Sequence, residues 1–555
     1  MKRIRDSLVA PEILDILLVL LRIDLLSPGR LEPKLQGTGM ASPSRKKPSS
    51  SSSGRRDRIS GLPDDLLGHV LSFLPTKEAG RAAMLGRRWR DIFCSVHTIS
   101  SEEREGQRAH DWDTYFYEAQ ERRSCSTALL QSISAALLHR RRRPNLMVPL
   151  RSFRFAFDSY HGWDKVAVDQ WLFEVLRQRT QDQELHLDLR FFIGPICARS
   201  SINGDDEEKE SNDNKSWGHV LPRTLFSCRA VRTMCLSYCK LNLPEVVDLP
   251  FLETLRLTSI RGDSEETIQK LIWSCPRLAD LTLEANNRLK KLTVLHKRLR
   301  RFALRCCHNV TQVSIDVSEL RCLEYSGSVP EESLMSLHGS PAVSSCTIRF
   351  CKVRPKESEL VRFTKLIEIV SDSKHLHLHH RGLGSEFFAA FPSFPNLIRL
   401  ELQGPIENKD TVDAIKRVLE QTPNLEVLSL YMEEREQDME ERRRREEKIR
   451  HRRLYGGVVG DDQEEYDRSV DLCNLRVPDS SCFSLPCLRR RLKEINMVNY
   501  QCDVQHRVLA SLLFRNALVL ERMCVVFVKG LFAVQVELRK EIESWVVAKP
   551  DKSFM

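Results

Sequence analysis

Hydrophobic residues recur along most of the chain in one short pattern, L-x-x-L-x-L, in which apolar and polar positions alternate at the end. Copies occur at Leu150-Phe153-Phe155, Val231-Met234-Leu236, Leu252-Leu255-Leu257, Leu278-Leu281-Leu283, Leu299-Phe302-Leu304, Leu320-Leu323-Tyr325, Leu397-Leu400-Leu402, Leu425-Leu428-Leu430 and Leu492-Ile495-Met497. Alternation of this kind predicts a strand in each copy. Because one unit cannot bury its own apolar side, neighbouring units stack into a continuous core. Residues 148–430 are therefore expected to form a repeat solenoid.

The spacing of the copies changes between residues 278 and 325. Main copies there are about 21 residues apart, and a second apolar trio falls midway between them. These trios are Leu289-Leu292-Val294 and Val310-Val313-Ile315. The half-spacing leaves no room for a helix, so we expect extended segments on both sides of these coils. Helices fit elsewhere, at 265–274 and 411–421.

A helical pattern precedes the repeats. The apolar positions of its first segment are Leu66, Leu67, Val70, Leu71 and Leu74, and those of its third are Trp89, Ile92, Phe93 and Val96. Pro63 is predicted at the first helical position and Thr76 as the N-cap of a second helix. Three helices in about forty residues carry more apolar surface than one small core needs. A partner is therefore expected to cover part of it.

The same stretch resembles an F-box of the plant form. The matching residues are Asp57-Arg58-Ile59-Ser60, Leu62-Pro63-Asp64-Asp65-Leu66-Leu67, the run from Leu71 to Ala79, and Arg88-Trp89-Arg90. The resemblance implies docking onto a Skp-family adaptor and, through it, a cullin. For the adaptor contact we predict Leu62, Pro63, Leu66, Leu71, Leu74 and Trp89. Gly86 stands where the family usually has Ser as the cap of the third helix, and Gly is a tolerated cap. The alternative is a helical hairpin that keeps its apolar face for its own core.

The repeats resemble leucine-rich repeats, and the copy at Val231 extends to the full consensus through Cys239 and Leu241. Residues 480–527 resemble the FBD region of plant F-box proteins. That resemblance rests on Pro486-Cys487-Leu488, Leu492-Lys493-Glu494-Ile495, Asn516-Ala517 and Leu520-Glu521-Arg522-Met523. The region is predicted as strand, helix, strand, capping the solenoid. The expected fold class is an α/β leucine-rich-repeat solenoid preceded by a small all-α F-box domain, similar to plant F-box/FBD/leucine-rich-repeat proteins.

Composition shifts divide the chain into six parts. They are a leader and basic Ser-rich linker at 1–56, the F-box at 57–97, a helical connector at 98–147, the repeats at 148–430, a charged insertion at 431–475 and the FBD-like region at 476–550. We expect the native start at Met40, where a tail-like composition begins. The basic residues near positions 45–56 are either a nuclear address or a solvated tail.

Charge and cysteine usage exclude several classes of protein. The chain has 555 residues, a net charge of +10 and seventeen cysteines without a C-x-x-C pair. With no secretory signal or membrane span, we expect a reducing compartment, the cytoplasm and/or nucleus. The cluster Arg140–Arg143 is interpreted as a helix stop rather than a nucleic-acid patch, because no aromatic residues interleave it. No nucleic-acid or membrane partner is expected.

Catalytic motifs are absent from the sequence. There is no phosphate-binding Gly loop, nucleophile elbow or H-E-x-x-H, so we expect no enzyme, no catalytic residue and no cofactor. His375, His377 and His379 share one face of a predicted strand and could hold a metal. We favour a strand whose leucines point inward while the histidines face water, and we expect no metal site.

The expected function follows from the resemblance and the solenoid. The chain is interpreted as the substrate-recognition subunit of an SCF-type cullin-RING ubiquitin ligase, with the repeats binding an unknown protein target. The outward strand positions carry an arginine bias, and the predicted target contacts are Arg232, Arg256, Arg300, Arg301 and Arg399. Each could equally be a solvated surface residue. Alternatives are a leucine-rich binding adaptor outside any ligase, or a small-molecule receptor with a pocket on the concave face.

Overall fold

The computed structural model divides the chain into two compact units. We call them the helical unit (Met1–Ser101 and Ser132–Leu150) and the repeat unit (Glu102–Gln131 and Arg151–Met555). The structure describes residues 61–103, 119–142, 148–158, 160–177, 183–192, 197, 218–261, 265–328, 334–338, 343–351, 357–379, 391–406, 408–433, 485–528 and 532–555. The leader at 1–56 and most of the charged insertion lie outside the described residues.

Short helices form the N-terminal part, as the apolar spacing predicts. The elements are α1 (Asp64–Leu71), α2 (Thr76–Ala82), α3 (Arg87–Cys94), β1 (Thr98–Glu102) and α4 (Ala119–Arg141), the last two continuing from one unit into the other. Two helix starts differ from the prediction by one residue. Pro63 is the N-cap of α1, because its ψ of 147° is extended rather than helical. Thr76 is the first residue of α2, and its hydroxyl accepts the Ser100 N–H at 2.8 Å instead of capping the helix.

The core of the helical unit lies where α1 and α2 both pack on α3. Its buried apolar residues include Leu67, Val70, Leu71, Ala79, Ile92, Phe93 and Val96. Arg140, near the end of α4, is also buried, and its guanidinium donates hydrogen bonds to the carbonyl oxygens of Cys94, Val96 and Val148. The predicted helix stop is therefore present, but one of its cations ties α4 to the segment that follows α3.

Parallel strands make up most of the repeat unit. Its elements are β2 (Ser152–Ala156), α5 (Lys165–Arg177), β3 (Leu185–Arg190), β4 (His219–Val220), β5 (Val231–Ser237), β6 (Cys239–Lys240), β7 (Thr254–Thr258), α6 (Glu265–Trp273), β8 (Asp280–Glu284), β9 (Lys291–Val294), β10 (Arg301–Arg305), β11 (Gln312–Asp316), β12 (Cys322–Gly327), β13 (Met335–His338), β14 (Ser345–Phe350), α7 (Glu357–Glu368), β15 (His375–His379), β16 (Arg399–Gly404), α8 (Lys409–Glu420), β17 (Val427–Met432), α9 (Pro486–Arg490), β18 (Glu494–Tyr500), α10 (Val504–Asn516), β19 (Arg522–Phe527), α11 (Phe532–Trp545) and β20 (Asp551–Phe554).

The large sheet of this unit runs β2-β3-β5-β7-β8-β10-β12-β14-β15-β16-β17-β18-β19-β20, with neighbours paired in parallel. Core positions stand in register from strand to strand, as Leu281, Phe302 and Leu323 do in β8, β10 and β12. A second small sheet, β9-β11-β13, pairs in parallel beside β8–β14. It supplies the extended segments predicted on both sides of these coils. The α/β fold with a large parallel sheet is confirmed.

Strand ends in this sheet share one backbone feature. Four residues that directly follow strands have a positive φ near 50°: Tyr238, Ser259, Ala285 and Cys306. Each turns its N–H to a carbonyl of the next coil, for example Ala285 N to Arg305 O at 2.8 Å. A left-handed residue costs energy for any side chain other than Gly. The repeated hydrogen bond offsets that cost coil after coil.

The C-terminal region extends the sheet further than the sequence predicts. The strand–helix–strand pattern is present as β18, α10 and β19, and α11 and β20 follow it. Arg507 of α10 is buried and holds Glu541 of α11 by two hydrogen bonds of 2.8 and 2.5 Å. Among the described residues, no helix is both long and apolar enough to cross a membrane.

Candidate functional site

The helical unit exposes several large apolar side chains. Leu66 on α1 is 43% exposed, and Met84 and Leu85, which follow α2, are 83% and 73% exposed. Phe73 and Leu138 are also exposed. A small helical unit that leaves this much apolar area in water has the character of an interaction surface. We call these five residues the exposed apolar set.

The six predicted adaptor contacts take three positions in this unit. Pro63 and Leu66 are exposed, while Leu62, Leu74 and Trp89 are half-buried. Leu71 is 2% exposed and packs inside the unit, so it supports α1 from beneath rather than presenting a surface. Phe73, Met84 and Leu85 are also exposed but were not among the predicted contacts: Phe73 lies within the F-box-like run, and Met84 and Leu85 lie outside the matching residues.

An ion pair joins the beginnings of α1 and α3. The Arg88 guanidinium lies 2.7 Å from the Asp64 carboxylate and donates a hydrogen bond of 2.5 Å to the Leu62 carbonyl oxygen. This contact brings the first turn of α3, with Trp89, beside Leu62 and Pro63. Asp64 lies in the first turn of α1, so this ion pair links the starts of the two helices.

A groove lies between α2, α3 and the C-terminal part of α4. Its volume is about 580 Å³, and its lining is largely apolar. The lining residues are Thr76, Lys77, Gly80, Ala83, Met84, Arg90, Phe93, Ser132, Ala135, Ala136 and His139. His139 closes one side, with its Nε2 atom 3.1 Å from the Arg90 carbonyl oxygen. Met84 belongs both to this groove and to the exposed apolar set, so the two features adjoin.

The alternate positions of the strands form the polar face of the large sheet in the repeat unit. One row of this face, read from β3 to β16, is Asp188, Cys235, Arg256, Thr282, Ala303, Glu324, Thr347, His377 and Glu401. Thus a residue on this face meets a polar neighbour from the adjacent coil at most positions.

Four of the predicted target contacts have partners in the structure. Arg300 lies 3.6 Å from Glu319, Arg301 lies 3.6 Å from Glu324, and Arg399 lies 3.9 Å from Glu401. The Arg232 guanidinium stacks over the Phe251 ring at 4.5 Å. Arg256 is half-buried in the central row. The structure brings Arg256 and Arg301 to the same part of the polar face and leaves Arg399 several strands away.

Family models of known proteins match residues in both units. The F-box domain family model matches residues 59–100. A second family model, described as FBD-associated F-box protein At5g56370, LRR repeats, matches residues 209–336. The chain carries an F-box followed by leucine-rich repeats. The predicted resemblance to plant F-box/FBD/leucine-rich-repeat proteins is confirmed.

Curated relatives come from Arabidopsis thaliana. F-box/LRR-repeat protein At4g14103 is 27% identical over 42% of this chain and 50% of its own length. F-box/LRR-repeat protein At2g42720 is 26% identical over 67% of this chain and 77% of its own length. FBD-associated F-box protein At5g60610 is 22% identical over 83% of this chain and 97% of its own length. The match thus spans half of the first relative and nearly all of the third.

The leucine-rich repeats carry a charged cluster that the sequence analysis missed. Arg305 donates two hydrogen bonds to the Glu324 carboxylate, at 2.7 and 2.8 Å, and lies 3.5 Å from Glu284. Glu284 in turn accepts the Thr258 hydroxyl at 2.9 Å. Burial acts against ionisation of Glu324, but the hydrogen bonds and charge of Arg305 outweigh it and lower the pKa. The regular spacing of the repeats places these strand positions beside one another, so it is the sequence signal that could have predicted the pairing of Arg305 with Glu324.

The structure contradicts part of the prediction for strand β15, which placed its histidines in water. Leu376 and Leu378 point inward as expected, and His375 is exposed. His379, however, is buried, and its Nε2 atom accepts hydrogen bonds from the Arg349 guanidinium at 3.1 and 3.3 Å. His377 lies 3.9 Å from Glu401, and burial lowers its pKa. Among the described residues, the ligand atoms of these three histidines do not form a group that could hold one metal ion.

Proposed function

We propose that this chain is the substrate-recognition subunit of an SCF-type cullin-RING ubiquitin ligase. The F-box would dock a Skp-family adaptor, which links it to a cullin, and the leucine-rich repeats would hold a protein target. F-box and leucine-rich-repeat proteins of this kind are typically non-catalytic substrate adaptors. The observation that carries the proposal is the exposed apolar set on a domain whose sequence matches the F-box. We place this activity in the cytoplasm, the nucleus or both.

The mechanism is one of positioning. Adaptor and target bound to one chain share a high effective concentration, so a ubiquitin-charged enzyme on the cullin meets target lysines repeatedly. The exposed apolar set supplies adaptor affinity because it loses contact with water on docking, at roughly 25 cal/mol per Å² of apolar area. Leu66 and the residues after α2 contribute to this area directly, the exposed Pro63 adds to it, and Leu71 holds α1 in place.

Adaptor binding tests the proposal. The full chain is assayed against a plant Skp-type adaptor, beside Leu66→Glu and the double variant Leu62→Ala/Pro63→Ala. Both variants are expected to weaken binding at least about tenfold, since a buried carboxylate or lost apolar contact costs more than about 1.4 kcal/mol. Circular dichroism checks that the helices remain.

Val166→Glu is the matched control. Val166 is an exposed apolar residue near the start of α5, in the repeat unit, where an acidic residue suits the helix dipole. This variant should bind the adaptor as the wild type does. Failure of the wild-type chain to bind any Skp-type adaptor would refute the ligase role and favour a leucine-rich adaptor that works outside a ligase.

Target recognition is proposed for the polar face of the sheet. Arg300 and Arg399 are both exposed, and their ion pairs, at 3.6 and 3.9 Å, are long, so an acidic group on a target can replace the Glu319 and Glu401 carboxylates. The double variant Arg300→Ala/Arg399→Ala should lose proteins that co-purify with the wild-type chain while still binding the adaptor. Unchanged co-purification would exclude these arginines as target contacts.

A further inference from the structure

Three cysteines and one histidine of the repeat unit converge at one point. They are Cys197, Cys306, His308 and Cys351, and one ligand atom from each lies within 4.8 Å of the others. Two edges of the cluster are short: Cys306 Sγ to Cys351 Sγ is 3.5 Å, and Cys197 Sγ to His308 Nε2 is 3.1 Å. Cys306 and Cys351 are buried, while Cys197 and His308 are half-buried.

These distances fit a shared metal ion better than a cross-link. A disulfide requires two sulfurs about 2.05 Å apart, far less than the 3.5 Å between Cys306 and Cys351. Thiolates bound to one tetrahedral zinc at about 2.3 Å lie about 3.8 Å from each other. The observed sulfur separation is close to that edge, and a third thiol and an imidazole complete a set of four ligand atoms within 4.8 Å of one another.

The histidine is oriented as a ligand. Its Nε2 atom faces Cys197, while its Nδ1 atom lies 3.2 Å from the hydroxyl oxygen of Ser328. The Ser328 hydroxyl can accept a proton from Nδ1, and in that tautomer the Nε2 lone pair is directed toward the cluster. Metal-binding histidines usually have such a partner on the other ring nitrogen.

The four residues come from coils that are distant in sequence. Cys306 and His308 follow β10, Cys351 follows β14 with β12 between them, and Cys197 follows β3. Three strands of the sheet, β5, β7 and β8, separate β3 from β10. A single ion at this point would tie the segment after β3 to the ends of two later coils.

We propose that this cluster is a structural zinc site of the Cys₃His type. Soft thiolates with one imidazole select zinc over magnesium or calcium, which prefer oxygen. Four protein ligands fill a tetrahedral shell and leave no position for water or substrate, so the site is structural rather than catalytic. Zn²⁺ binds the thiolates, so the three thiols release their protons on loading. This assignment replaces the expectation from sequence that the chain has no metal site.

Metal content of the full-length protein is the first test. The chain is purified in reducing buffer without chelator, and zinc is measured by mass spectrometry. We expect about one zinc per chain, and less than about a fifth of that in Cys306→Ala and in Cys351→Ala. The Cys306→Ala backbone is safe, because Ala285 already adopts the same left-handed conformation at the same place in its coil (φ 52° against 51°).

Cys307→Ala is the matched control. Cys307 is the next residue and also a buried thiol, but its sulfur lies 3.7 Å from the Leu283 carbonyl oxygen, outside the cluster. This variant should keep its zinc. Loss of zinc from Cys307→Ala as well as Cys306→Ala would show that the metal depends on general folding, and the assignment would fall.

A spectroscopic test does not depend on any variant. The wild-type chain is stripped with chelator and titrated with Co²⁺, which reports ligand geometry where Zn²⁺ is silent. Intense visible bands and sulfur-to-cobalt charge transfer at one equivalent, removed by Zn²⁺, are expected from a tetrahedral thiolate site. Weak octahedral bands, no saturation at one equivalent, or a mass 2 Da low from a Cys306–Cys351 disulfide would each overturn the proposal.

Discussion

The same kind of apolar side chain is buried in the leucine-rich repeats and exposed in the F-box. In the repeats, Leu281, Phe302 and Leu323 are nearly inaccessible because each coil has a neighbour on both sides. In the F-box, Leu66, Met84 and Leu85 remain in water because three short helices enclose too little volume. The difference teaches that similar apolar patterns yield a core in one region and a docking surface in the other. What decides is whether the chain itself supplies the covering layer.

Removal of one apolar side chain from each region gives the largest expected contrast. Phe302→Ala should lower the free energy of unfolding of the repeats by about 4 kcal/mol, because it leaves a cavity between stacked coils. Leu66→Ala should change stability by less than about 0.5 kcal/mol. Chemical denaturation followed by circular dichroism measures both. If Leu66→Ala proved as costly as Phe302→Ala, α1 would be part of a closed core and the contrast would fail.

A buried histidine makes the stability of the repeat core sensitive to acid. His219 is buried, its Nδ1 atom is 2.9 Å from the Tyr160 hydroxyl, and its Nε2 atom is 3.2 Å from Asp169. Burial lowers the pKa of His219 to about 4, although the Asp169 charge opposes the shift. Below about pH 6.5 this histidine is therefore protonated in the unfolded chain, whereas in the folded chain it stays neutral down to about pH 4.

The sign of the effect follows. Stability is complete above about pH 6.5 and falls as the pH drops toward 4, by up to about 3 kcal/mol. His219→Gln keeps the hydrogen bond to Tyr160 and removes the titration, so denaturation midpoints from pH 7 to pH 4 should show a shallower slope. An identical slope in the variant would assign the acid sensitivity to other groups.

The smallest expected effect is the difference in stability between losing a close ion pair and losing a long one on the polar face. Arg305→Ala breaks two close hydrogen bonds to the half-buried Glu324 and should cost about 2 kcal/mol. Arg399→Ala removes an exposed pair at 3.9 Å and should cost less than about 0.5 kcal/mol. Thermal denaturation of the two variants beside the wild type measures the difference. Equal costs would mean that the paired cluster gives the sheet no special support.

Local periodicity predicted most of the fold. The strand copies, the extended segments around β9 and β11, and the F-box helices all follow from residues within a few positions of one another. The start of α2 was displaced by one residue because the Thr76 hydroxyl bonds to the Ser100 N–H, a contact that no local pattern contains. The elements α11 and β20 carry no repeat signature, so they were missed.

The sites were less predictable than the fold, for a physical reason. Exposure of Met84 and Leu85 depends on how much of α2 the other helices cover, which no residue spacing reveals. The four residues of the proposed zinc site include pairs 111 and 45 positions apart, so a search for close Cys spacing passes over them. Only the stacked coils bring them together.

The order of strands in the large sheet has a consequence for biogenesis. From β14 to β20 each strand pairs with the next strand of that sheet along the chain. The strand at the edge of the part already formed is therefore always the one with which the next synthesised strand pairs. A ribosome releases the chain in that same order. The sheet can grow coil by coil during translation, with no strand waiting for a distant partner, and each new coil shields the edge left by the one before.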